Sequence, residues 1–270
     1  SLFRIDGGGE NSIESLFEIQ GTNVAEYGFG DNYNNFISCN TNFVANTKGN
    51  VHPTIQFVET FYEAGDLRRD ASIFVPGDKF YPDMSSSPFI VGGTDWVYPT
   101  ATGTKPSGHR NSTTGYSVKK FLSGTLVINM WETGPANPRV LRFAEMLLIR
   151  AEALNEVQGP GAEVFNLINK VRTRAGLPNL SSALTKEQVR QAIWKERAVE
   201  LFMEADRWFD LKRTDRLIDR MKANCETFSA SNVVNWTSTQ KHYIMPIPRG
   251  EINLTVQNGT PVLKQAPEYQ

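Results

Sequence analysis

Residues Trp194–Arg213, WKERAVELFMEADRWFDLKR, limit what this chain can fold into more than any other stretch. They hold neither Gly nor Pro. Ala198, Leu201, Phe202, Ala205, Trp208 and Phe209 fall close to the i, i+3, i+4, i+7 rhythm of a helix with one apolar face. Glu196, Glu200 and Glu204 recur at every fourth position, with Arg197, Arg207 and Arg213 interleaved. So many charges beside so many large apolar groups predict a helix buried along most of its girth, and charge taken into a core must be paired. The segment therefore reads as an ion-paired spine whose counter-charges are Arg197 and Arg207. Thr185 with Gln188 forms a capping box. The spine is expected to start at Lys186 and run unbroken to Arg213, with a further short helix over 214–223.

The residues before the spine also have helical character. Asn137-Pro138 offers a cap and a first-turn proline. VLRFAEMLLIRAEALNEV is then apolar almost all round, with small Ala151 and Ala153 where another helix can approach. Gly159-Pro160-Gly161 makes a turn, and AEVFNLINKVRTRA a second helix, stopped by Gly176 and Pro178. Pro138 to about Val171 is thus a helical hairpin of roughly 34 residues, the size of a tetratricopeptide unit. Such a unit does not bury both faces alone, and this chain shows one clear copy, which implies further neighbours. After residue 223 the tail holds Tyr243-Ile-Met-Pro-Ile-Pro248, an extended segment fixed by two prolines, and then an irregular end.

Upstream the texture differs. SIESLFEIQ suits a short strand from Ile13 to Ile19. Residues 21–50 are crowded with Gly, Asn, Thr and Asp. Thr54 suits a helix cap before IQFVETFYEAG, ending near Gly65. Residues 72–136 carry most of the Pro and Gly, with alternation in SVKKFLS and LVINMW that suggests short strands among loops longer than usual. The expected fold is mainly α with long irregular loops and a few short strands. It comprises a loop-rich, ligand-facing region at 1–136 and a helical region with an extended tail at 137–270.

Composition excludes several roles. The 270 residues carry a net charge of -1 and no basic run stands out, so nucleic acid finds no electrostatic footprint. No apolar run approaches a membrane span. Gly-x-Ser-x-Gly, Walker A, His-Glu-x-x-His and Cys-x-x-Cys are all missing. His52, His109 and His242 are far apart in sequence, and Cys39 and Cys225 have nothing that brings them together. The glutamate ladder suits a carboxylate metal site in spacing, yet lacks the Glu-x-x-His of di-iron bundles and has arginines beside it. No catalytic residue, metal or cofactor is expected.

The better functional signal is aromatic. Sugar rings stack their C–H faces on Trp and Tyr while their hydroxyls need Asn, Asp or Arg. Tyr27, Tyr33, Asn34, Tyr81, Asp95, Trp96 and Tyr98 offer that mix in loops and are the candidate ligand-binding residues; loop-anchoring or core aromatics are the alternative reading of each.

The chain resembles the SusD/RagB family of nutrient-binding outer-membrane lipoproteins of Bacteroidetes. The resemblance rests on Arg142-Phe-Ala-Glu-Met-Leu-Leu-Ile-Arg-Ala-Glu152-Ala-Leu-Asn155, on Asn169-Lys-Val-Arg172-Thr-Arg174-Ala-Gly176-Leu177, and above all on Glu196 to Arg213. Met245-Pro-Ile-Pro248-Arg-Gly-Glu-Ile252 and the ending Gln265 to Tyr269 are also similar, though that ending departs from the usual Q-N-P-G-Y, and Glu14 to Ile19 and Asp66-Leu-Arg68 add weaker landmarks. It implies the C-terminal half of a chain about twice as long, whose N-terminal half carries a lipidated Cys and the other helical repeats. It also implies glycan capture at the cell surface, with no bond broken, and delivery to a SusC-like TonB-dependent transporter. The family motifs are structural and do not mark the ligand site. A glycoside hydrolase with two carboxylates and a protein-binding helical-repeat module are the alternatives. An apolar face is expected where the remaining half docks.

Overall fold

A computed structural model of the chain describes residues 3, 9–21, 37, 51–75, 78, 114–121, 137–227 and 239–269. They are mainly helical, with a few short strands. The chain divides into two compact units, Ser1–Met203 and Glu204–Gln270.

The first unit is built on three helices: α3 (Phe143–Gln158), α4 (Ala162–Arg174) and α5 (Lys186–Glu200). Gly159, at φ 80°, closes α3. Ala151, Val164, Phe165, Ile168, Val189 and Ile193 form the shared core, and Ala151 is fully buried while Ala153 faces out. The capping box at Thr185 and Gln188 starts α5 as expected. α3 and α5 run antiparallel, and α3 together with Arg142 just before it presents one row of side chains to α5. Arg142 Nη1 donates to Glu200 (2.6 Å), Arg197 pairs with Glu145 (3.5 Å), Trp194 Nε1 donates to Glu152 (2.9 Å) and Asn155 Nδ2 donates to the Lys186 carbonyl (3.1 Å).

Around this core lie α1 (Ile55–Phe61), capped by Thr54, and α2 (Leu67–Ser72), capped by Asp66. A second cluster gathers Val58, Ile73, Val118 and Phe202, with Phe57 stacked on Phe202 at 5.1 Å between ring centroids. Two antiparallel pairs complete the unit: β1 (Ser15–Glu18) with β4 (Arg139–Arg142), and β2 (Ile73–Phe74) with β3 (Ser117–Val118).

Three expectations need correction. Pro138 does not open a helix. Residues 139–142 pair with β1 instead, and α3 begins at Phe143, because Glu14 supplies the cap from outside: its Oε1 accepts from Ala144 N at 3.1 Å. The spine is not one helix. α5 ends at Glu200 and α6 (Asp206–Arg213) follows a break in which Met203 (φ 60°) and Ala205 (φ 70°) are left-handed. An unbroken helix would need the carbonyls of Glu200 and Phe202 for its next turn. Lys120 Nζ takes both, at 2.9 and 3.0 Å, and Arg142 Nη2 takes the Glu200 carbonyl at 2.7 Å. Two buried cations thus cap the C-terminal end of α5 where the dipole is negative, and this tertiary contact overrides local helix propensity. The tail, finally, is more regular than expected.

The second unit holds α6, α7 (Leu217–Thr227) and α8 (Arg249–Leu254), followed in the chain by a hairpin of β5 (Val256–Gln257) and β6 (Thr260–Pro261). Its turn is Asn258-Gly259, both at positive φ, as a two-residue hairpin requires. The extended Met245–Pro248 segment is pinned by Gln265, whose Oε1 accepts from Ile247 N (3.0 Å), and by Tyr269, whose hydroxyl donates to Lys241 O (2.8 Å).

Candidate functional site

The aromatic candidates Tyr27, Tyr33, Asn34, Tyr81, Asp95, Trp96 and Tyr98 lie outside the described residues, as do Cys39 and His109. The most developed polar centre among the described residues is the one the glutamate ladder pointed to. It is organised differently from the sequence expectation.

Glu196 and Glu200 sit one turn apart on α5, both buried. Their counter-charges come from other elements, not from Arg207 and not from Arg197, which reaches Glu145. Arg68, from α2, donates to Glu196 at 2.5 Å and to Glu200 at 3.2 Å, and also grips Asp66 at 2.7 Å. Arg142, at the end of β4, and Arg174, at the end of α4, meet Glu200 Oε1 at 2.6 and 2.5 Å. Arg172 bridges Glu196 (3.3 Å) and Glu63 (2.9 Å). Three elements that share no local sequence, α2, β4 and α4, are thereby fixed to one helix turn. Each carboxylate oxygen of Glu196 and Glu200 receives at least one guanidinium contact, as the scarcity of unpaired buried charge demands.

The electrostatics follow from burial and partners. Burial pushes the Glu200 carboxyl up, but Arg142 and Arg174 outweigh it and hold the group below the ordinary carboxylate range. At Glu196 burial prevails over Arg68 and Arg172, and the group stands above its ordinary value. Glu63, at the rim, is hydrogen-bonded by Arg172, which outweighs burial and brings it down to about 2. Beside the network lies a cavity of about 350 Å³ with an apolar floor of Phe3, Leu67, Ala71, Ala175 and Val199 and a wall of Arg68, Lys120, Arg142, Arg174 and Glu200.

Such an arrangement does not perform acid–base chemistry. A general base needs an oxygen open to the substrate proton, and these oxygens are occupied by guanidinium groups. Among the described residues no group of three or more His, Cys, Asp or Glu is placed to hold a metal ion, and no helix is long and apolar enough to cross a membrane. The centre is a scaffold. Arg68 and Lys120, two of its members, had no periodic signal in the sequence. Only the compact Asp66-Leu-Arg68 triplet hinted at the first.

The sequence model of the SusD family matches residues 13–269, a span that includes every residue of this scaffold. The chain belongs to the SusD family. Among curated relatives, SusD-like protein P2 of Formosa agariphila is 33% identical over 121 residues, covering 42% of this chain and 23% of that protein. Among solved structures, a SusD-like protein from Bacteroides fragilis superposes with a TM-score of 0.68 at 22% identity, over 96% of this chain and 55% of that one. Surface glycan-binding protein A from Bacteroides thetaiotaomicron, in complex with laminarihexaose, gives a TM-score of 0.66 at 22% identity, over 95% of this chain and 52% of that one. The chain thus spans about a quarter of the SusD-like protein P2 and about half of these solved chains.

Proposed function

We propose that this SusD-family chain is part of a non-catalytic protein that captures an oligosaccharide at the bacterial cell surface and passes it to a SusC-like TonB-dependent outer-membrane transporter. The observation that carries the reading is the fold shared with a surface glycan-binding protein in complex with laminarihexaose. The arginine-saturated carboxylates support a binding role over a hydrolytic one. In this reading the outer membrane is reached through a lipid anchor on the longer protein. Tyr27, Tyr33, Tyr81, Trp96 and Tyr98 stack on sugar faces, and Asn34 and Asp95 take the hydroxyls.

A glycan array followed by calorimetry tests this. The expected result is oligosaccharide binding that weakens at least tenfold in Trp96→Ala, with unshortened glycan recovered by chromatography after prolonged incubation. Shortened glycan would overturn the reading in favour of a glycoside hydrolase. Silence on the array, with a transporter co-purifying, would overturn it in favour of a protein-binding module.

A further inference from the structure

The cavity beside the charge network has the make-up of a ligand site, and the scaffold role leaves it unused. At about 350 Å³ it lies at the small end of the roughly 300–1,000 Å³ range of ligand pockets. Its frame is set by packing between two elements. Leu67 N, at the start of α2, donates to Ala175 O, just after α4, at 3.0 Å. Gly176, at φ 80°, lets the Leu67 side chain close on the same stretch, since a Cβ there would stand 3.1 Å from Leu67 Cγ. Leu67 is held in this way at the cavity while still 62% exposed, and the buried Ala175 and Val199 line it as well.

The polar wall is one-sided. Among the described residues that line the cavity, Arg68, Lys120, Arg142 and Arg174 stand against a single carboxylate, Glu200. Asp66, Glu196 and Glu14, which also pair with these arginines, are not among them. Arg68 and Arg142 are largely buried and held by carboxylates, and Lys120 Nζ is held by the carbonyls of Glu200 and Phe202. Arg174 differs. Its side chain is 48% exposed, its Nη2 donates to Glu200 at 2.5 Å, and its Nη1 stands 3.8 Å from Glu14, beyond hydrogen-bonding distance. Among the described residues its Nε and Nη1 groups are therefore open to a further acceptor, and a guanidinium fork matches a carboxylate.

We propose that this cavity binds a small monocarboxylate with an apolar body, its carboxylate on Arg174 and its hydrocarbon against Leu67, Ala175 and Val199. The lining chemistry selects that class. A polyol needs acceptors as well as donors for its hydroxyls, and only Glu200 and Ser72 among the described lining side chains can accept. A bare inorganic anion would leave the apolar walls in contact with water and gain nothing from them. The site is independent of the glycan reading and of the aromatic candidates.

Calorimetry on the protein with benzoate as the probe tests this, with benzyl alcohol and inorganic phosphate as comparisons. One comparison carries the body without the charge and the other the charge without the body. The expected result is saturable benzoate binding at least tenfold tighter than either. Equal binding of benzyl alcohol would overturn the proposal in favour of a merely apolar cavity, and equal binding of phosphate in favour of an unselective anion site. No benzoate binding at millimolar concentration would overturn it outright. Variants then locate the site. Ala71→Leu fills the cavity from α2 without touching an ion pair, and is expected to abolish benzoate binding with Tm held within a few degrees. Arg174→Met removes the fork, and is expected to weaken benzoate at least tenfold while leaving benzyl alcohol unchanged. Undiminished benzoate binding in Ala71→Leu, or equal losses for both compounds in Arg174→Met, would overturn the assignment.

Discussion

α5 and α6 come from one continuous run of sequence with one texture, and they end in opposite states. The last turn of α5, Glu196–Glu200, is buried residue by residue. On α6 the large aromatics Trp208 and Phe209 are 44% and 66% exposed. Both segments follow the helical rhythm and both mix arginine, carboxylate and bulky apolar groups, so periodicity alone does not separate them. What separates them is supply from a distance. α5 receives Arg68, Arg142, Arg172, Arg174 and Lys120 from elsewhere in the chain. A helix surface becomes an interior when enough partners converge to neutralise it.

The strongest way to break this contrast is to remove the charge on which those partners converge. Glu200→Gln keeps the shape but leaves Arg142 and Arg174 facing a neutral amide in a buried place. Removing one partner of a buried pair costs about 3–5 kcal/mol, and urea unfolding should show a loss of that order. The equivalent neutralisation on α6, Lys212→Gln, is expected to shift stability by less than about 0.5 kcal/mol. Comparable losses at both positions would remove the distinction.

A milder perturbation acts at the rim. Glu63 has a folded pKa of about 2 against an ordinary 4.5. Because the folded value is depressed, the carboxylate adds stability above the unfolded pKa, and that contribution drains away as pH falls from 4.5 towards 2. The side chain is 36% exposed, so solvent screening reduces the effect to about 1 kcal/mol. Glu63→Gln should lower stability by that amount at pH 7 and flatten the acid limb between pH 4.5 and 2. An unchanged acid limb would show that Arg172 is satisfied by Glu196 alone.

Much of the first unit was legible because its signals are local. Thr54, the Thr185–Gln188 box, Gly159 and Gly176 act within a turn of themselves, and the helix ends they mark stand where they were expected, whereas α1 stops at Phe61 and not near Gly65. The errors have one physical origin, which is non-local control. Glu14 decides where α3 begins and Lys120 decides where α5 ends, each from far away in sequence. The counter-ions of Glu196 and Glu200 were misassigned to Arg197 and Arg207 for the same reason, since adjacency in sequence is a poor guide to adjacency in a packed core. The Asn258-Gly259 hairpin, by contrast, carried a strong local signal within a tail expected to be irregular. The candidate ligand residues rest on residue chemistry alone, because the stretches of sequence that hold them have no periodicity from which geometry follows.

The smallest effect is the most discriminating, because its sign differs between the two possible structures of the spine. Ala205 stands at φ 70° in the break, a conformation that disfavours any Cβ-bearing residue and suits glycine. Ala205→Gly should therefore stabilise the protein by about 0.5–1 kcal/mol, less the entropy glycine adds to the unfolded chain. In an unbroken helix from Lys186 to Arg213 the same substitution would destabilise by about 1 kcal/mol. A melting curve that moves upward supports the capping of α5 by Lys120 and Arg142, whereas a downward shift restores the continuous helix that the sequence alone favours.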